Sequence, residues 1–140
     1  MNAPHEIDAG PPHAATVVAR TQESPTIFTL QLRLDDAAAQ AAYRFAPGQF
    51  NMLYLYGVGE VPVSIMSDPE ECDGICHTIR ALGRVTQGLA ALQPGDKLGL
   101  RGPFGRGWPL QEVSGCDVVL VTGGLGCAPV VSVIHYVLRR

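Results

Sequence analysis

From Ala15 onward apolar and polar side chains alternate with a period of two. The alternation is clearest where Phe28, Leu30, Leu32 and Leu34 point one way and Thr29, Gln31 and Arg33 the other. That period predicts a strand with one face buried. Residues 35–42 are polar and alanine-rich and read as a connection, after which Pro47-Gly48 makes a turn. A second alternation follows in Phe50, Met52, Tyr54 and Tyr56. Residues 61–66 and 75–81 give two more short strands, set apart by the turn chemistry of Asp68-Pro69 and Asp73-Gly74.

Beyond Ile79 the period lengthens. Thr86 is placed to cap a short helix whose apolar positions Leu89 and Leu92 lie three apart, and Pro94-Gly95-Asp96 ends it before a strand over 97–101. Several short strands with one capped helix between the last two predict a small Greek-key barrel. Gly102-Pro103-Phe104-Gly105-Arg106-Gly107 reads as linking sequence. Residues 118–121, Val-Val-Leu-Val, are continuously apolar, which suits a parallel strand buried on both faces. Gly123-Gly124-Leu125-Gly126 comes next, and Pro129 opens an apolar helix over 130–138. Strand, glycine turn and helix make the first half of a βαβ unit, and no second parallel strand follows.

The fold class expected is therefore mainly β: a six-stranded antiparallel Greek-key barrel followed by the first strand and helix of a Rossmann-like α/β domain. Its divisions are a disordered tail over 1–13, a barrel over 14–104, a linker over 105–115, and the start of an incomplete nucleotide-binding domain over 116–140. The tail holds three prolines and no aromatic residue, too little apolar surface to offset the entropy of ordering.

Composition narrows the function. Hydrophobic residues make up 46% of the chain and charged residues 16%, enough for a core. Glycine and proline together are 27 of 140 residues, which excludes a long helical bundle. Net charge is −3, with Lys97 the single lysine and the arginines scattered, so there is no basic stripe for nucleic acid. No stretch reaches the ~18 apolar residues of a membrane span, and the first residues lack a basic segment followed by an apolar one. Those features predict a cytoplasmic protein with no membrane span. Cys72, Cys76, Cys116 and Cys127 match neither zinc-knuckle nor ferredoxin spacing and read as free thiols. His5, His13, His77 and His135 show no metal-ligand spacing either, so no metal site is expected.

Three segments carry candidate chemistry, each with a plain structural alternative. The glycine turn at 123–126 can aim amide groups at a diphosphate, or be only a tight turn. Pro129 stands where the usual dinucleotide fingerprint has its third glycine. In Arg80-Ala81-Leu82-Gly83-Arg84-Val85-Thr86 the amides around Val85 and Thr86 face outward, for a phosphate or simply as a capped helix. Ser64, inside an apolar strand, needs a hydrogen-bond partner from its neighbours or from a ligand.

In this order, Pro-x-Ser ending a strand, Gly-x-x-Thr opening a helix, Gly-Pro-x-Gly, and then Gly-Gly-x-Gly-x-Ala-Pro, the sequence resembles the ferredoxin–NADP reductase superfamily. Within it the likeness is to the flavin subunits of multi-subunit enzymes: the gamma subunit of nickel–iron hydrogenases, the flavin subunit of anaerobic sulfite reductase, and the electron-transfer subunit of dihydroorotate dehydrogenase. It extends over residues 14–140. The resemblance implies that Ser64 hydrogen-bonds the flavin ring near N5, with Pro62, Val63 and Ile65 beneath the isoalloxazine. By the same likeness Thr78, Ile79 and Arg80 line the flavin tail, and Gly83, Val85 and Thr86 hold its phosphates. Gly123, Gly124, Gly126, Ala128 and Pro129 receive the nicotinamide nucleotide.

The sequence departs from the family pattern at Val61, where much of the superfamily has an arginine that clamps flavin phosphate. Backbone amides and Thr86, with Arg80 or Arg84, are then left to hold the diphosphate. The resemblance implies a flavin-dependent electron-transfer module that passes electrons between NAD(P)H and an iron–sulfur partner subunit. It favours FAD over FMN, implies NAD(P) binding only when the nucleotide domain is completed, and implies no iron–sulfur cluster in this chain. No side chain is expected to act as general acid or base. The partners implied are the iron–sulfur and catalytic subunits of a hydrogenase-like complex. Two other readings stay open: a cofactor-free docking barrel of a redox complex, and a small barrel for another apolar ligand. Trp108 and Phe104 either cover a flavin face or pack between the barrel and the α/β domain.

Overall fold

The computed structural model describes residues 10–71 and 73–140. Most of the expected tail, residues 1–9, and Cys72 lie outside the described residues. The described residues form six strands, β1 (His13–Gln22), β2 (Ile27–Leu34), β3 (Phe50–Leu55), β4 (Gly59–Ser64), β5 (Ile75–Arg80) and β6 (Lys97–Phe104). Its helices are α1 (Ala37–Ala42), α2 (Arg84–Ala90) and α3 (Ala128–Leu138). β1 opens at His13, which pairs with Leu100 and so belongs to the sheet, not to the expected tail.

All six strands lie in one antiparallel sheet of order β4-β3-β6-β1-β2-β5. The period-two pattern explains the register. Phe28, Leu30 and Leu32 of β2 are at most 1% exposed, while Arg33 faces solvent. They meet Ala15, Val17, Leu53, Ile75, Ile79, Leu98 and Leu100 in a single core, which Leu89 of α2 joins. The sheet curls until its outer strands approach. Past the end of β4, Met66 N–H donates to the Cys76 carbonyl at 3.0 Å and Cys76 N–H to Ser67 Oγ at 2.6 Å.

The structure departs from the sequence expectations at four further places. Residues 37–42 form α1, not a plain connection: alanine has the highest helix propensity, and Asp36 caps the helix by accepting from Ala39 N–H at 2.7 Å. Residues 102–104 are not linker but the end of β6, where Phe104 pairs with Phe50 and packs on its ring at 5.8 Å between centroids. Two residues, Gly102 and Pro103, oppose Asn51 there, and Gly102 accepts the bulge at φ +143°.

Thr86 is not the N-cap of α2. Gly83 holds that position, and Thr86, three residues on, reaches back to it. Finally, residues 118–121 form no ladder, and Val119 and Val121 are 84% and 91% exposed. A parallel strand is stable only between neighbours, and among the described residues none flanks this run.

A 3₁₀ turn over Gly124–Cys127 leads into α3, with Pro129 in its first turn. The far end of α3 is tied to the loop after β4. Arg139 Nη2 lies 2.5 Å from Asp68 Oδ2 and 3.2 Å from Glu71 Oε1, and Arg140 Nη1 lies 3.1 Å from Glu70 Oε1.

Candidate functional site

β4 and β5 are the two outer strands of the sheet, and no ladder joins them. An open cleft of about 690 Å³ follows the gap between them, lined by residues 60–64 of β4, 78–80 of β5, 82–86 at the start of α2, and Leu125, Gly126, Ala128 and Pro129. Its walls are largely apolar. Leu82, 73% exposed, stands as an uncovered lip at the edge.

Ser64 sits in this wall, half-buried, and its hydroxyl has no hydrogen-bond partner among the described residues. Its backbone is held from inside. The fully buried His77 ring places Nδ1 2.9 Å from the Ser64 carbonyl and Nε2 3.2 Å from Asn51 Nδ2. Asn51 Oδ1 in turn accepts from the Tyr43 hydroxyl at 2.9 Å. Burial pushes the His77 pKa down to about 4, the carbonyls of Ser64 and Val63 drawing it up by less, so the ring is neutral. Burial likewise pushes the Tyr43 phenol above its ordinary value, against a smaller lowering from Asn51.

The other end of the cleft is cationic and rich in donors. Arg80 and Arg84 line it, exposed, with no ion-pair partner among the described residues. Glu60, the acidic residue in the lining, is already taken by Arg101, at 2.6 Å and 3.2 Å. Thr86 Oγ1 accepts from the amides of Leu82 and Gly83 at 3.0 and 2.9 Å and donates to the Gly83 carbonyl at 3.1 Å. That hydroxyl is spent on the turn, which it shapes. The first intrahelical bond runs from Gln87 N–H to the Gly83 carbonyl at 2.8 Å, so the amides of Arg84, Val85 and Thr86 are left for another acceptor. Thr78 Oγ1 is likewise engaged, 2.8 Å from Thr29 Oγ1, which donates to Glu23 at 2.7 Å.

Of the residues singled out in the sequence, the cleft brings together Pro62, Val63, Ser64, Thr78, Ile79, Arg80, Gly83, Val85, Thr86, Gly126, Ala128 and Pro129. Three stand apart. Ile65 is fully buried in the core, because it directly follows Ser64 in the chain and so points to the opposite face. Gly123 and Gly124 are exposed, before the turn that reaches the cleft. Phe104 packs on Phe50, and Trp108 lines a separate groove with residues 118–121. Sequence reasoning missed Glu60, Leu82 and Leu125. Leu82 and Leu125 carried a signal, a large apolar residue inside a glycine turn, where solvent exposure needs a reason.

Apolar walls, one free hydroxyl, two free guanidinium groups and a row of unclaimed amides suit an elongated ligand. Such a ligand would have a flat apolar ring system at one end and phosphate at the other.

No protein-family model matches the chain. It is 43% identical over 106 residues to the sulfhydrogenase 1 gamma subunit of Pyrococcus furiosus, covering 76% of this chain and 36% of that protein. Over 118 residues it is 37% identical to a probable dihydroorotate dehydrogenase B (NAD(+)) electron transfer subunit of Methanocella arvoryzae, covering 84% of this chain and 40% of that one. The chain thus spans about two fifths of these relatives. Among solved structures, the ferredoxin–NADP+ reductase of Plasmodium falciparum superposes with a TM-score of 0.75 at 15% identity, over 91% of this chain and 53% of its own. That of Neisseria gonorrhoeae, with bound FAD and NADP, gives 0.64 at 22% identity, over 86% and 49%. At these identities the two structures share the fold.

Proposed function

We propose that this chain, which belongs to the ferredoxin–NADP reductase-like superfamily, binds FAD in the β4–β5 cleft and is the flavin-holding part of an electron-transfer subunit. The observation that carries the reading is the polarity of the cleft: a free Ser64 hydroxyl among apolar walls at one end, and free Arg80 and Arg84 beside unclaimed amides at the other. The FAD and NADP bound to the reductase of Neisseria gonorrhoeae support it, as do relatives named as sulfhydrogenase gamma and probable dihydroorotate dehydrogenase B electron transfer subunits.

In this reading Ser64 donates to the ring near N5, and Pro62 and Val63 lie along it. Thr78, Ile79 and Arg80 line the tail. The amides after Gly83, with Arg80 and Arg84, hold the diphosphate that Val61 cannot hold. FAD is favoured over FMN because the cationic turn accommodates two phosphates. A bound flavin supplies hydride and single-electron chemistry, and the side chains here orient it and neutralise its charge. Gly126, Ala128 and Pro129 lie at the cleft edge, where a nicotinamide nucleotide would meet the ring, with Gly123 and Gly124 leading to it. The electrons would pass to an iron–sulfur partner subunit. The test is spectroscopic: the purified chain, reconstituted with FAD and desalted, retains the flavin absorbance bands, and acid denaturation releases FAD. A colourless product after reconstitution overturns the proposal.

A second reading has one observation in its favour. The exposed run at 118–121 offers an apolar face to another chain, as a cofactor-free docking barrel would. That reading predicts the colourless outcome.

A further inference from the structure

We infer that His77 is a positioning residue: its ring clasps the open gap between β4 and β5 and, through the Ser64 carbonyl, fixes the strand segment that carries the Ser64 hydroxyl into the cleft. The inference rests on the flavin reading of that cleft. A barrel normally closes by a ladder between its outer strands, and here none joins β4 to β5. The crossings at Met66, through its backbone, and at Ser67, through its hydroxyl, fall beyond the last residue of β4. The His77 bond to the Ser64 carbonyl, 2.9 Å, lands on β4 itself, at the residue facing the ligand space.

The proton positions follow from the partners. A carbonyl only accepts, so Nδ1 carries the hydrogen, and in the neutral ring Nε2 must then accept. Asn51 Nδ2 donates to it, which turns the Asn51 oxygen to the Tyr43 hydroxyl. Ser64 is thereby braced by three side chains in series, all behind the sheet and none of them touching the cleft. Neither strand propensity nor general core packing requires a histidine at this place. A leucine would fill it without tying β4 to β5.

Two substitutions separate positioning from mere packing. In His77→Asn the amide nitrogen falls near the Nδ1 position and still donates to the Ser64 carbonyl. In His77→Gln it falls near Nε2 and leaves that carbonyl unpaired. Positioning predicts that FAD dissociation constants stay within about threefold of the parent for His77→Asn and rise about tenfold for His77→Gln, with the urea midpoints of both variants lowered. Equal affinities in the two variants, whether both intact or both weakened, overturn the inference. Should either variant fail to fold, nitrogen–proton correlation spectra of the parent chain decide: protonation at Nδ1 supports the clasp, and protonation at Nε2 overturns it. A parent chain that takes up no FAD sinks the functional reading while leaving the tautomer result standing, so the two failures are distinct.

Discussion

Gly102 and Asn51 face each other so closely that a Cβ on Gly102 would overlap the Asn51 carboxamide oxygen, the atom that accepts from Tyr43. The bulge in β6 and the brace behind Ser64 therefore depend on the same glycine. At φ +143° an L side chain is strained as well. Gly102→Ala is expected to destabilise the fold by about 2–4 kcal/mol, combining backbone strain with a displaced buried amide. Urea unfolding measures it, and a loss below about 1 kcal/mol would mean that Asn51 moves freely.

Stability should depend on pH through His77. In the unfolded chain the imidazole titrates near 6.5, and in the folded chain only at about 4. Unfolding therefore takes up a proton between those values, and stability falls as pH drops through that window. The full shift corresponds to at most about 3 kcal/mol. Asp35, held below the usual carboxylate range by hydrogen bonds from Lys97 and Thr16, acts in the same sense only at lower pH. Urea titrations at pH 7 and 4.5 should differ in the parent and much less in His77→Asn. An equal slope in both would assign the effect to another group.

The cationic end of the cleft should distinguish phosphate-bearing flavins from the bare ring. Replacing Arg80 and Arg84 together with glutamine is expected to weaken FAD by about tenfold or more at low salt, and less as salt rises. Riboflavin, which has no phosphate, should bind both forms alike. Parallel losses for both ligands would show that the arginines shape the ring pocket.

The apolar run at 118–121 makes an opposite kind of prediction. Val119 and Val121 are almost fully exposed, so Val119→Thr with Val121→Thr should change stability by less than about 0.5 kcal/mol while raising solubility. Thermal unfolding together with light scattering tests both parts. A marked drop in stability would mean that these valines are covered in solution.

How far the sequence can be read depends on the range of the interaction. Strand faces are set by neighbours two residues apart, so β2, β3, β4, β5 and the core positions Phe28, Leu30 and Leu32 are legible. The Gly83–Thr86 turn is local too, although its N-cap is Gly83 and not the Thr86 that the sequence suggests. α1 escapes a reading by pattern because its residues are almost all alanine, which shows no amphipathic stripe, and because its anchor, Gln40 accepting from Leu34 N–H at 2.8 Å, reaches back to the end of β2 through a side chain and leaves no periodic signal. The run at 118–121 has the composition of a buried strand, yet pairing partners decide that, not composition. Ile65 lies next to Ser64 in sequence but on the other face in space, which is why it belongs to the core and not beneath a ligand. The brace from Tyr43 through Asn51 and His77 to Ser64 joins four separate segments, and nothing in any one of them announces it.

The most direct test of the central claim is an equilibrium titration of the flavin-free chain with FAD, followed by flavin fluorescence. The account predicts saturable quenching with one FAD per chain, weakened in Ser64→Ala and in the Arg80, Arg84 double variant. Fluorescence equal to that of free FAD up to about 1 mM, or uptake unchanged by those substitutions, would contradict it.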